Sequence, residues 1–212
     1  MMSSEYFSVE VSGELAMFTT PHSKLHCERY SYPMPTYSAL QGIMTAIYHQ
    51  RGMKWVIDEC RVMNRIEEIS MGQLHAGYKI TISKSRPRYI HTYLANQRYQ
   101  IKAHYIRDSR YAGAKGFHFS HGNTIRKILE MGNGNFIKLG AGNCIGLFSE
   151  CVWGEEPGYY DNSGVSEPIR MFYDFEYKGN KIENVGFCMQ YMENGTIPFY
   201  KIRPIYRKWT KE

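Results

Sequence analysis

The chain has 212 residues, 43% of them apolar, with 26 Lys and Arg against 20 Asp and Glu and a formal net charge of +6. That length fits one domain or one domain with an appendage, and the apolar fraction excludes an intrinsically disordered chain. No apolar run reaches the roughly 18 residues of a membrane-spanning helix, so no membrane association is expected, and with no signal peptide opening the chain the cytoplasm is the default compartment. A basic excess favours an anionic partner such as nucleic acid, and 18 tyrosines supply rings of the kind that stack on bases. The five cysteines, Cys27, Cys60, Cys144, Cys151 and Cys188, form no C-x-x-C pair, which argues against a zinc site or a disulfide framework.

In chain order, Phe7, Val9 and Val11 alternate as the inward face of a strand. Gly13 then interrupts the pattern, as Gly does at a bulge or a close backbone approach. Pro33 and Pro35 keep their neighbours extended. A helix follows, capped by Thr36 or Ser38, with Ala39, Ile43, Ala46 and Ile47 as its apolar stripe and Tyr48 at its far end. Lys54 to Met63 alternates as a second strand, with Val56, Asp58, Cys60 and Val62 on one face. Strand, helix and strand begin a split βαβ unit. Asn64 to Gly77 reads as an extension and turn, Tyr78 to Thr92 as a basic hairpin arm limited by Pro87, and Tyr99 to Ile106 as a strand.

Arg107 to Gly122 is irregular, and Asn123 to Met131 reads as a second helix with Ile125, Ile128 and Leu129 inward. Gly132 to Gly146 holds five glycines in fifteen positions, a density that suits close approach to a ligand and N–H groups aimed at anions. It is not a phosphate-binding P-loop, because no G-K-[ST] follows. Ile145 to Trp153 completes the first sheet. Ile169 to Tyr177, Val185 to Met192 and Thr196 to Tyr200 are further strands, with Asn194-Gly195 as a two-residue hairpin turn. The tail from Lys201 to Lys211 is basic.

Gly13, Ala16, Phe18, Thr19 and Pro21, then Glu28, Arg29, Ser31, Tyr32, Pro35, Thr36, Ala39, Gly42, Ile43, Ala46, Ile47 and Tyr48, form one ordered string over about forty residues. It resembles the d-subtype (type I-C) of the CRISPR-associated "Cas five" family, of the RAMP superfamily. Together with the strand–helix–strand opening, the resemblance predicts an α+β fold. Residues 1–153 would form a ferredoxin-like, RNA-recognition-like domain with the glycine-rich loop, and residues 154–212 a small C-terminal antiparallel β-sheet domain with the basic tail. The implied function is an endoribonuclease that cuts precursor CRISPR RNA at the base of the repeat stem-loop. It would then hold the mature 5′ handle as a subunit of the surveillance complex, beside the "Cas seven" and "Cas eight" subunits. No metal and no cofactor are expected, and the product would be a 2′,3′-cyclic phosphate. Double-stranded DNA remains open as a further partner. Two alternatives stand: a non-catalytic handle-binding scaffold, and a nucleic-acid-binding module unconnected with CRISPR.

The resemblance also assigns the chemistry. Self-cleavage of RNA needs a group to take the 2′ proton, one to protonate the leaving oxygen, and a cation near the phosphate. The family uses a Tyr, a Lys and a His. The Tyr falls on Tyr48 and the His on His121. The Lys position is occupied by Ser120, so Lys115, the nearest upstream lysine, is the catalytic cation, and a shifted reading joins Lys115 to His118. Lys24 and Arg29 before the first helix, Lys84, Arg86 and Arg88 on the hairpin arm, and Lys138 in the glycine segment are the expected RNA contacts. For Arg29, an ion pair to Glu28 is the competing role. The family's Arg–Glu pair in the glycine segment is replaced by Gly142 and Asn143.

Overall fold

A computed structural model describes residues 5–20, 23, 28–74, 88–108, 121–132, 136–179 and 181–208. Strand β1 (Phe7–Ala16) buries Phe7, Val9 and Val11 as their alternation requires. It runs on through Gly13, where a Cβ would lie 2.8 Å from the Ile145 carbonyl oxygen. The glycine marks a close approach of the neighbouring chain and does not break the strand.

Helix α1 (Tyr37–Ile47) is capped by the Thr36 hydroxyl, which accepts from the Ala39 N–H at 3.2 Å. It buries Tyr37, Leu40, Ile43, Met44 and Ile47. The expected stripe is therefore rotated: Ala46 is exposed and Ala39 only partly covered. The larger side chains take the inward positions because their burial removes more apolar surface from water.

Strand β2 (Met53–Val62) carries a bulge between Ile57 and Glu59. One extra residue there puts Ile57 and Cys60 on the same, buried side. The uninterrupted alternation expected for this segment is corrected accordingly, with Asp58 turned outward onto His104 at 2.8 Å.

Strand β3 (Glu68–Leu74) occupies part of the stretch read as an extension and turn. It pairs with the first third of β4 (Arg88–Arg107), a single 20-residue strand. The hairpin arm and the separate strand read from the sequence are thus continuous from Arg88 onward, while residues 75–87 lie outside the described residues. Helix α2 (Gly122–Met131) buries Ile125 and Leu129. Strands β5 (Ile137–Lys138) and β6 (Ile145–Glu150) follow.

The first sheet has the order β5-β6-β1-β4-β2-β9, all antiparallel, with β3 added on β4. Its member β9 (Thr196–Pro198) was expected among the C-terminal strands, yet it pairs with β2. Strands β7 (Ile169–Lys178), β8 (Lys181–Gln190) and β10 (Ile205–Lys208) form a second sheet in the order β10-β8-β7. Asn194 and Gly195 both take positive φ, 47° and 74°, as a two-residue hairpin turn demands. The second sheet is tied to α1 by Tyr173 of β7, which stacks on Tyr37 at 4.3 Å. No helix among the described residues is long and apolar enough to cross a membrane.

The face of the first sheet opposite the helices is charged, and it is closed by ion pairs. Arg98 binds Glu10 at 2.6 Å and also pairs with Glu156. Arg61, nearly buried, binds Asp161 at 2.5 Å and donates to the Glu156 carbonyl at 2.8 Å. The turns from Glu156 to Asp161, which have no regular structure, are thereby clamped onto the sheet.

Partial burial pushes the Asp161 carboxyl up, but hydrogen bonds from Arg61 and from the Gly158 N–H outweigh it. The net pKa lies below the ordinary value of 3.8. A carboxylate with a depressed folded pKa adds stability that is fully present above its unfolded pKa and is lost as pH falls through the folded one. Asp161→Asn is therefore expected to melt lower than the parent near neutral pH. The difference should shrink toward zero as pH drops below 3.8, which thermal melts across an acid series would measure.

Candidate active site

Tyr48 stands just past the end of α1, in extended conformation with φ −150° and ψ 129°. Its N–H closes the helix on the Met44 carbonyl at 3.0 Å. His121 stands at the start of α2, where its carbonyl accepts the first helical bond, from the Ile125 N–H at 3.0 Å. Its imidazole makes no cap to its own helix and is directed at Tyr48. The Tyr48 hydroxyl and His121 Nδ1 are 3.0 Å apart, although 73 residues separate them in the chain. Both side chains are half-buried, so part of each stays open to solvent.

Aromatic side chains surround the pair. The Tyr105 ring meets the His121 ring edge-on at 6.1 Å. Burial pushes the Tyr105 phenol above its ordinary pKa, against a hydrogen bond from the His121 backbone that pulls it down. A phenol held up in this way stays protonated. Glu5 pairs with Arg126 of α2, and its carboxylate lies close to Gly122, the first residue of that helix, where an anion is favourable.

A cleft of about 580 Å³ runs along the small-residue side of α1. Ser38, Ala39, Gly42 and Ala46 form one wall, and Lys138, Gly140 and Ala141 another. Arg29 and Lys138, two of the residues expected to contact RNA, line this one cavity, and among the described residues no carboxylate does. Arg29 is held by its main chain, its carbonyl accepting the Thr92 N–H at 2.8 Å. Among the described residues it makes no ion pair with Glu28, whose carboxylate accepts from the Ile90 N–H at 3.4 Å. Gly140 takes φ +88°, and the loop it belongs to is sewn to β1 by two bonds: Met17 N–H to the Leu139 carbonyl at 2.9 Å, and Ala141 N–H to the Met17 carbonyl at 3.0 Å. Asn143 donates to the Tyr93 hydroxyl at 2.8 Å.

Of the other expected residues, Lys24, Lys84, Arg86, Lys115 and His118 lie outside the described residues. So does the side chain of Arg88, whose backbone opens β4 opposite Leu74. Sequence reasoning missed Trp55, Tyr105 and Glu5. Their contribution depends on strand register and on contacts between distant segments, for which the local sequence carries no signal.

Fold and site together define a basic α+β protein with a hydrogen-bonded phenol–imidazole pair at the end of the helix that walls a cleft holding Arg29 and Lys138. The model of the d-subtype CRISPR-associated protein family (Cas_Cas5) matches residues 7–200, and the chain belongs to that family. The resemblance carried by Gly13 to Tyr48 is thereby borne out. One relative is the CRISPR pre-crRNA endoribonuclease Cas5d of Mannheimia succiniciproducens, 38% identical over 76 residues; the match spans 36% of this chain and 33% of that protein. A crystal structure of a CRISPR-associated protein superposes with TM-score 0.77 at 25% identity, covering 98% of this chain and 99% of the other. A functionally uncharacterized Streptococcus mutans protein, SMU1763c, superposes with TM-score 0.72 at 27% identity, covering 98% and 100%.

Proposed function

We propose that this protein is a metal-independent endoribonuclease that cuts precursor CRISPR RNA at the base of the repeat stem-loop. It then keeps the 5′ handle as a subunit of the surveillance complex, beside the "Cas seven" and "Cas eight" subunits. The observation that carries this reading is the 3.0 Å contact between the Tyr48 hydroxyl and His121 Nδ1. The name of the Mannheimia succiniciproducens relative supports the activity. The strand order β6-β1-β4-β2, with α1 and α2 as the two crossovers, supports a ferredoxin-like arrangement of residues 1–153, followed by the C-terminal sheet domain.

The chemistry follows from the two groups. The RNA 2′-oxygen attacks the adjacent phosphorus, the bond to the 5′-oxygen breaks, and a 2′,3′-cyclic phosphate and a 5′-hydroxyl result. One proton leaves the 2′-hydroxyl and one reaches the departing oxygen. The His121 tautomer with hydrogen on Nδ1 donates to the Tyr48 oxygen and carries its lone pair on Nε2, the form that accepts the 2′ proton. The phenol then directs its own O–H outward, toward the phosphate. Arg29 and Lys138 neutralise the backbone of the strand lying in the cleft, and Lys115 is the cation for the scissile phosphate.

A handle-binding scaffold without catalysis is the second reading. The observation that favours it is Ser120, which stands where the family's lysine would. Incubating the protein with the repeat RNA of its native locus in EDTA separates the readings. Cleavage to a cyclic phosphate supports the enzyme, tight binding without cleavage the scaffold, and equal affinity for unrelated RNA a general binder. In the same assay, Arg29→Ala and Lys138→Ala are each expected to weaken binding. Each should also flatten the dependence of log affinity on log salt by about 0.7, the value of one lost phosphate contact to a single strand.

A further inference from the structure

Neither Tyr48 nor His121 is held by the regular part of a helix. Tyr48 is extended and lies past the last residue of α1, and His121 precedes the first residue of α2. Each is bonded to its own helix through one main-chain group, the Tyr48 N–H to the Met44 carbonyl and the His121 carbonyl from the Ile125 N–H, and these bonds leave the distance between the two helix ends unset. What spans that gap is the sheet. Trp55 of β2 and Tyr105 of β4 are direct cross-strand partners, and both are essentially buried. The Trp55 indole N–H donates to the Tyr48 carbonyl at 2.8 Å. The Tyr105 hydroxyl is hydrogen-bonded to the backbone of His121. The two rings meet edge-to-face at 5.9 Å, and Phe7 of β1 packs on both, at 5.9 Å from Trp55 and 6.1 Å from Tyr105. Each half of the phenol–imidazole pair is thus tethered through its main chain to one member of a rigid cross-strand couple.

We propose that Trp55 and Tyr105 are positioning residues that set the separation of Tyr48 and His121 through these two backbone hydrogen bonds. A buried Trp N–H or Tyr O–H takes a partner wherever one is in reach. In this protein both partners belong to the two residues whose spacing the proposed reaction requires. A Tyr105 ring that only filled the core would do so equally well as phenylalanine, and a Trp55 ring that only filled it would have no need of a partner for its N–H. The polar atoms are therefore the part that acts on the site. The inference rests on the reading that Tyr48 and His121 work together.

The test uses two variants in the full chain: Tyr105→Phe, which keeps the ring and removes the polar group, and Trp55→Phe, which removes the indole N–H together with part of the ring. Two measurements are made: the His121 ring nitrogen chemical shifts and titration by NMR, and single-turnover cleavage together with affinity for the native repeat RNA. The expected result is a moved His121 signature in both variants, with cleavage about tenfold slower, since small displacements of reacting groups carry large rate costs. RNA affinity should stay within about twofold of the parent, a split between rate and binding that general loosening of the core would not give. His121 shifts unchanged in both variants would overturn the proposal, as would losses of rate and affinity in equal proportion. If the parent protein does not cut RNA, the activity reading fails, and the NMR comparison still decides the positioning role. If the parent cuts and both variants cut at its rate, the positioning role fails and the activity stands.

Discussion

Replacing His121 by Ala is expected to slow single-turnover cleavage of the native repeat RNA by about 10²–10⁴-fold, the usual contribution of a positioned acid–base group. Of the two side-chain types in the pair, imidazole is the one suited to proton transfer near neutrality. Without it the 2′ proton has no acceptor at that position. RNA affinity should change little, because the cations that line the cleft, Arg29 and Lys138, are untouched. Tyr48→Phe removes the hydroxyl 3.0 Å from Nδ1, and with it the bond that orients the ring. If phenol and imidazole act as one unit, the double variant is no slower than His121→Ala alone, since residues working together are grossly non-additive. Both side chains are half-exposed, so the melting temperature should fall by no more than about 2 °C. Cleavage by His121→Ala at the parental rate would remove the imidazole from the mechanism.

Gly140→Ala is expected to be the most damaging small change in the glycine segment. Its φ of +88° costs an L-residue about 1–2 kcal/mol. Space is the greater obstacle: a Cβ there would lie 2.0 Å from the Met17 carbonyl oxygen, which is backbone. Relieving that overlap means separating the loop from β1, at an overpacking cost of about 1–3 kcal/mol. Together these predict a melting temperature lower by roughly 4–20 °C for a chain of this size. RNA binding should weaken as well, because Gly140, Ala141 and Lys138 form one wall of the cleft. Gly142→Ala is the internal comparison. A Cβ there meets only the Lys138 ammonium, at 3.9 Å, so it should melt and bind as the parent does. Equal tolerance of the two substitutions would show that the loop is not anchored to Met17 as described.

The local devices of the fold were legible in the chain. Thr36 is the cap of α1, Phe7, Val9 and Val11 are the inward face of β1, and Ile125 and Leu129 are the inward face of α2. Each depends on residues within a turn or two, where capping, pleat and helical period act directly. The string from Gly13 to Tyr48 was enough to indicate the family and to point to Tyr48, while His121 was reached from its place ahead of the glycine segment. The 20-residue strand β4 was not legible as one element. Its alternation is broken at Asn96, which takes φ 50°, and its two ends pair with different partners. The bulge after Ile57 was hidden for a related reason, since it is defined by which residue of β4 lies opposite.

By itself the sequence determined the two helices, the inward face of β1, the sign of the charge, and which phenol and imidazole to watch. Only the tertiary structure decided that these two meet, that Arg29 and Lys138 share a cavity, and that Arg61 is closed over by Asp161, 100 residues away. The physical reason is range. Propensity and periodicity act over a few residues. The distance between two loop-end side chains is set by strand register and by the buried rings beneath them, which exist only once the sheet has formed.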